Sequence, residues 1–72
     1  MSEEIIAIDR EPVELYKLLK FEGLAESGAA AKHLVDEGRV TVNGEPESRR
    51  RRKLVDGDRL RLDGRCFVLR LR

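Results

Sequence analysis

The sequence predicts a single α+β domain, a helical hairpin packed on a small, mostly antiparallel sheet. Three observations carry this reading. Leucines and alanines recur at helical spacing between Leu15 and Val35. After Gly38 the apolar period shortens to two, as a half-buried strand requires. Asn43-Gly44, Asp56-Gly57 and Asp63-Gly64 then punctuate the alternating stretch as tight turns. At 72 residues the whole chain, 1–72, forms one domain. A chain of this size buries only about 60% of its unfolded surface, too little to enclose a deep catalytic cavity.

Ile5-Ile6-Ala7-Ile8 is a short apolar run, expected as a buried strand that ties down the N-terminus. Pro12 fits the first position of a helix, where its missing N–H costs nothing. Leu15, Leu18 and Leu19 follow on one face, and Gly23 stops the helix. Ser27 is placed to cap a second helix with its hydroxyl. Ala31, Leu34 and Val35 form the buried stripe of that helix, Lys32, Asp36 and Arg39 look outward, and Gly38 ends it. Val40 and Val42 alternate with polar residues up to the Asn43-Gly44 turn, and Pro46 confines the return strand to an edge. Leu54-Val55, Leu60/Leu62 and Phe67/Leu69/Leu71 supply the remaining strands.

The formal net charge is only +1, yet the charge is unevenly spread. Residues 1–31 hold three basic residues against seven acids, a net of −4, whereas residues 48–72 hold ten against three, a net of +7. Such polarity suggests one face for an anionic partner and another kept away from it. The single cysteine, Cys66, rules out an internal disulfide and fits a reducing, cytoplasmic setting. No apolar run is long enough to span a bilayer, and Met1-Ser2-Glu3-Glu4 lacks the positive start of a secretory signal.

Arg49-Arg50-Arg51-Arg52-Lys53 is the sharpest local signal. Two readings stand: a phosphate-binding element, or a solvated or internally paired strand partly neutralised by Glu45 and Glu47. Guanidinium forks match phosphate oxygens in pairs, but they match DNA as well as RNA. If the run is extended, Arg49, Arg51 and Lys53 share one face, and Arg50 and Arg52 share the other. Lys32 joins the site only if the fold brings it beside the arginines. His33 and Glu37 are spaced as half a metal site, but no second histidine exists. No nucleophile–base pair, glycine-rich elbow or phosphate-cradling glycine loop is present. No enzyme activity, metal or cofactor is expected.

The stretch from Leu24 to Gly44, with its serine-started helix, its Gly38 stop and its Val40-Thr41-Val42-Asn43-Gly44 hairpin, resembles the alpha-L RNA-binding motif, the domain type of a small-subunit ribosomal protein. The resemblance covers residues 13–62 and includes the Gly57-Asp58 turn. Glu22-Gly23, Glu26-Ser27-Gly28 and Ala31-Lys32 are similar to the signature of small free-standing bacterial members. Many members carry arginine after the capping serine, where this chain has Gly28.

The resemblance implies a non-catalytic protein, expected as a monomer, that binds structured RNA such as ribosomal RNA or tRNA. By position it implies contacts from Lys32, Arg39, Asn43, Arg49, Arg50, Arg51, Arg52 and Lys53, with Asn43 alternatively a turn residue only. Scarce aromatics (Tyr16, Phe21 and Phe67) favour recognition by backbone and shape. The competing readings are a module that docks an acidic protein and a small DNA-binding protein.

Overall fold

The computed structural model describes residues 3–72; Met1 and Ser2, where the signal-peptide argument begins, lie outside the described residues. Strand β1 (Glu4–Ile8) is followed by the two-residue β2 (Val13–Glu14) and helices α1 (Leu15–Phe21) and α2 (Gly28–Asp36). Then come β3 (Val40–Val42), β4 (Glu45–Pro46), β5 (Lys53–Leu54), β6 (Arg59–Leu62) and β7 (Arg65–Leu71). Five strands form one sheet in the order β1-β7-β6-β3-β4, while β2 and β5 pair separately. Every pairing is antiparallel except β1 with β7, which run parallel.

The hairpin turns follow from their residues. Asn43 and Gly44 have φ of 53° and 87°, and Asp63 and Gly64 have 48° and 85°. A two-residue turn matched to strand twist requires positive φ at both central positions, which Asn, Asp and Gly tolerate. Pro46 ends β4 at the sheet edge, where its missing N–H interrupts no ladder.

Both helices end in the same way. After α2 the N–H groups of Gly38 and Arg39 bond back to the carbonyls of Val35 and Leu34. After α1, Gly23 and Leu24 bond back to Lys20 and Leu19. Each glycine sits at φ 73°, the left-handed residue such a cap needs. Ser27 caps α2, its Oγ accepting from the Ala30 N–H at 3.1 Å.

The helices cover one face of the sheet. Leu15, Leu18 and Leu19 of α1 and Ala31 and Val35 of α2 join Ile6, Ile8, Val40, Val42, Leu60 and Leu69 in one core. The opposite face of the sheet carries no helix, so β1 alternates: Ile6 and Ile8 are buried and Ile5 is 69% exposed. The run at residues 5–8 is therefore a half-buried strand, not a fully buried one.

The start of α1 also differs from expectation. Pro12 lies ahead of β2, and the helix begins at Leu15. Val13 and Glu14 stay extended because they pair with Leu54 and Lys53. A distant segment then takes the first free N–H groups of the helix: Leu15 donates to the Arg52 carbonyl at 2.9 Å and Tyr16 to the Arg50 carbonyl at 3.0 Å.

Leu19 has no solvent exposure and sits where both helices meet the sheet. Leu19→Ala is expected to cost about 2–5 kcal/mol, seen as a lower urea midpoint with an unchanged m-value.

Candidate nucleic-acid interface

The basic run is not an extended strand. The Arg52 N–H donates to the Arg49 carbonyl at 3.2 Å, so residues 49–52 form a turn, and only Lys53 enters β5. The alternation that groups Arg49, Arg51 and Lys53 on one face therefore does not apply. Glu47 organises the turn. Its carboxylate, with a side chain only 7% exposed, accepts from the Arg49 N–H at 2.9 Å, Arg49 Nε at 3.1 Å and Arg52 Nη1 at 2.8 Å. The Arg49 hydrogen bond, above all, pulls this carboxyl down to about 2, against a burial effect that would raise it.

Arg50 bridges to α2. Its Nε and Nη2 donate to the two oxygens of Asp36 at 3.0 and 2.7 Å, a fork that lowers the Asp36 pKa. Lys32 lies one turn before Asp36, and its ammonium stands 4.8 Å from the centre of the Tyr16 ring on α1. Gly28 lies one turn earlier again, and a Cβ there would meet the same ring at 3.9 Å. Gly28, Lys32 and Asp36 thus form one stripe of α2 that faces Tyr16 and the basic turn.

Arg51 and Lys53 have no carboxylate in ion-pair reach among the described residues. Both lie near Glu14, whose pKa is lowered first by the Lys17 hydrogen bond and further by the positive charges of Arg51 and Lys53. Lys17 itself pairs with Glu14 at 3.0 Å. Lys32 and Lys17 beside the Tyr16 ring, with Arg50, Arg51 and Lys53 of the adjoining turn, make up a cationic rim.

The S4 domain family matches residues 6–70 of this chain. The chain belongs to that family. It is 42% identical over 59 residues to RlbA of Bacillus subtilis (strain 168), named a probable ribosome maturation protein, covering 82% of this chain and 83% of the relative. It is 50% identical over 52 residues to YbcJ of Escherichia coli (strain K12), covering 72% and 74% of the two chains. The solution structure of E. coli YbcJ superposes with a TM-score of 0.70 and 37% identity over 97% of this chain and 90% of that one. That structure is described as an alpha-L motif involved in RNA binding. The expected fold, a helical hairpin on a mostly antiparallel sheet, is the one this S4 domain adopts.

Not every residue singled out in the sequence joins the rim. In this S4 domain Arg39 is bound to Asp63 in the β6–β7 turn, with Nε at 3.2 Å, and also to Glu37. Asn43 clamps two turns together, its amide donating to Asp58 at 3.1 Å and its oxygen accepting from the Arg59 N–H at 2.9 Å. That is a structural task. His33 reaches only Glu37, at 3.9 Å, and no cluster of metal-binding side chains exists among the described residues. Among those residues no helix is long and apolar enough to cross a membrane.

Tyr16 and Lys17 escape a reading by sequence. The helical period places Tyr16 beside the core leucines, and nothing local announces that Lys32, sixteen positions later, lies over its ring. The one available signal is that Gly28 and Lys32 share a helix face with no bulky neighbour on it.

Glu47 gives this S4 domain a measurable pH signature. A carboxyl with a depressed folded pKa stabilises the fold fully above its unfolded value, and the contribution is lost as pH falls through the folded value. For Glu47 that window runs from 4.5 down to about 2. Glu47→Gln is expected to cost about 1.5–3 kcal/mol at pH 7. The difference between parent and variant should shrink as thermal unfolding is repeated across that window.

Proposed function

We infer that this chain binds structured RNA through the rim around Tyr16, and that ribosomal RNA is the class it takes. The observation that carries the reading is the sorting of the cations. Arg49, Arg50 and Arg52 are fixed by carboxylates as a frame, and Arg51 and Lys53 stay exposed and, among the described residues, unpaired on that frame. Arg51, Lys53, Lys32 and Lys17 take phosphates. Arg49 and Arg50, whose side chains stay 70% and 52% exposed, keep further N–H groups for the same strand. Arg39 and Asn43 contribute at most from the margin, since their side chains are engaged in the sheet turns.

Binding rather than catalysis suits a site made of cations and neutralised carboxylates. The name of RlbA and the description of the YbcJ structure support RNA, and the RlbA name supports the ribosome as its source. The shape supports a duplex read from outside. A-form helices offer phosphates and 2′-hydroxyls across a wide minor groove, and a rim with one half-buried aromatic has no stacking sheet for unpaired bases.

The test is fluorescence anisotropy with an RNA hairpin, the matching DNA hairpin and an acidic peptide, each at several salt concentrations. RNA should bind most tightly. Lys32→Gln, Arg51→Gln and Lys53→Gln together should flatten the log–log salt dependence by about one unit per lost contact. Unaltered affinity and slope in the triple variant would sink this assignment, and tighter capture of the acidic peptide would favour a protein partner.

A further inference from the structure

A second surface runs along α1, on the side away from the core. A groove there is bounded by the end of β1 and the start of β2, and Arg10, Lys17, Lys20, Lys53 and Arg72 line it. Asp9, Glu14 and Glu22 line it too, so the lining is net positive by two charges. Asp9 pairs with Arg72 at 3.5 Å and Glu14 with Lys17 at 3.0 Å. Arg10, Lys20 and Lys53 are left without a carboxylate partner among the described residues.

Two of the three aromatic residues of the chain, Tyr16 and Phe21, line this same groove. Phe21 is 72% exposed, the most exposed of the large apolar side chains described, and Lys20 Nζ lies 6.0 Å from its ring centre. An aromatic that buries little area contributes nothing comparable to the fold. The groove is continuous with the rim, because Tyr16, Lys17 and Lys53 belong to both.

We propose that this groove takes an unpaired RNA segment leaving the structured element held by the rim, with a base stacked on Phe21 and phosphates held by Arg10, Lys20 and Lys53. The inference rests on the RNA reading above and extends it from a duplex to a duplex–single-strand junction. Aromatic rings interleaved with cations are what single strands require: every base has a π-face, so stacking is indifferent to sequence while the cations follow the backbone. A duplex has no unstacked base to offer Phe21, and an acidic peptide would not need the ring.

The experiment uses the full chain, a blunt RNA hairpin, and the same hairpin with a six-nucleotide uridine tail at the 5′ or the 3′ end. A third version carries the tail without bases. One tail polarity should tighten binding about 5- to 150-fold, as a single stacked base provides. The baseless tail should recover little of that gain. Phe21→Ala should abolish it while leaving blunt-hairpin affinity within twofold, and Lys20→Gln should reduce it. Because Phe21 is exposed, unfolding curves of the variant check that its fold is intact. The proposal is overturned if neither tail helps, if the baseless tail serves as well, or if the gain persists in Phe21→Ala. Those outcomes leave blunt-hairpin binding intact. Loss of the RNA reading itself would appear instead as a blunt hairpin that does not bind, or that binds the triple rim variant equally well.

Discussion

The architecture of the basic face depends on one buried carboxylate. Four guanidiniums and an ammonium in five residues repel one another, and such a run left alone is a disordered tail. Glu47 prevents this. Its own N–H extends the β3–β4 region by bonding to the Val40 carbonyl, which fixes it to the sheet. Its carboxylate then accepts from Arg49 and Arg52, closing the turn. A buried charge is tolerated only when several hydrogen bonds replace its water, and Glu47 has them. With the turn closed, the carbonyls of Arg50 and Arg52 face α1 and serve as its N-terminal acceptors. The basic segment is thus both the helix cap and the carrier of the exposed cations, so disturbing one disturbs the other.

The charge asymmetry between the two ends of the chain has a second use besides attracting an anion. The acidic start of the chain lies against the basic strands near its end: Glu3 meets Arg59, Glu4 meets Arg65 and Asp9 meets Arg72. These pairs flank β1 where it runs parallel to β7. Exposed ion pairs contribute little to stability, so burial of Ile6 and Ile8 holds the strand, and the pairs neutralise its surroundings. The consequence is a division among the ten cations of residues 48–72. Most have an assigned carboxylate, whereas Arg51 and Lys53 at the turn and Arg61 and Arg70 on the helix-free face of the sheet do not. The polarity of the sequence counts all ten alike and overstates how many are available.

What could be read in the sequence was whatever local chemistry determines. Gly23 and Gly38 stop their helices because only a left-handed residue completes those caps. Asn43-Gly44 and Asp63-Gly64 turn because both positions need positive φ, and Ser27 caps because its hydroxyl reaches an N–H three residues on. The failures share a different cause. α1 starts at Leu15 because carbonyls more than thirty residues away supply its first acceptors. The arginine run turns because Glu47 is buried beneath it, and Tyr16 joins the site because α2 lays Lys32 across it. In each case the deciding partner is remote in sequence, so propensity and periodicity carry no information about it. Asn43 shows how a position suggested by family resemblance as a contact also has a structural task, holding two turns together.

A net charge of +1 gives this protein little long-range attraction for a polyanion. At physiological salt, charges farther apart than about 8 Å are screened, so recognition must come from groups in near contact. Arg49, Arg50 and Arg52, which are paired with carboxylates, differ in this respect from Arg51 and Lys53. An arginine already forked onto a carboxylate has given up much of its roughly 2 kcal/mol of rotamer freedom before any ligand arrives. It presents its remaining N–H groups in a fixed direction, but the same carboxylate weakens its field. The unpaired Arg51 and Lys53 have the opposite balance, full charge and more freedom to lose. Glu14 and Asp36, the carboxylates beside the rim, would also repel a phosphate that arrives out of register. On the proposed reading, such a surface would gain less from a generic polyanion than five free cations, and would favour a backbone whose phosphates fall where the frame already points.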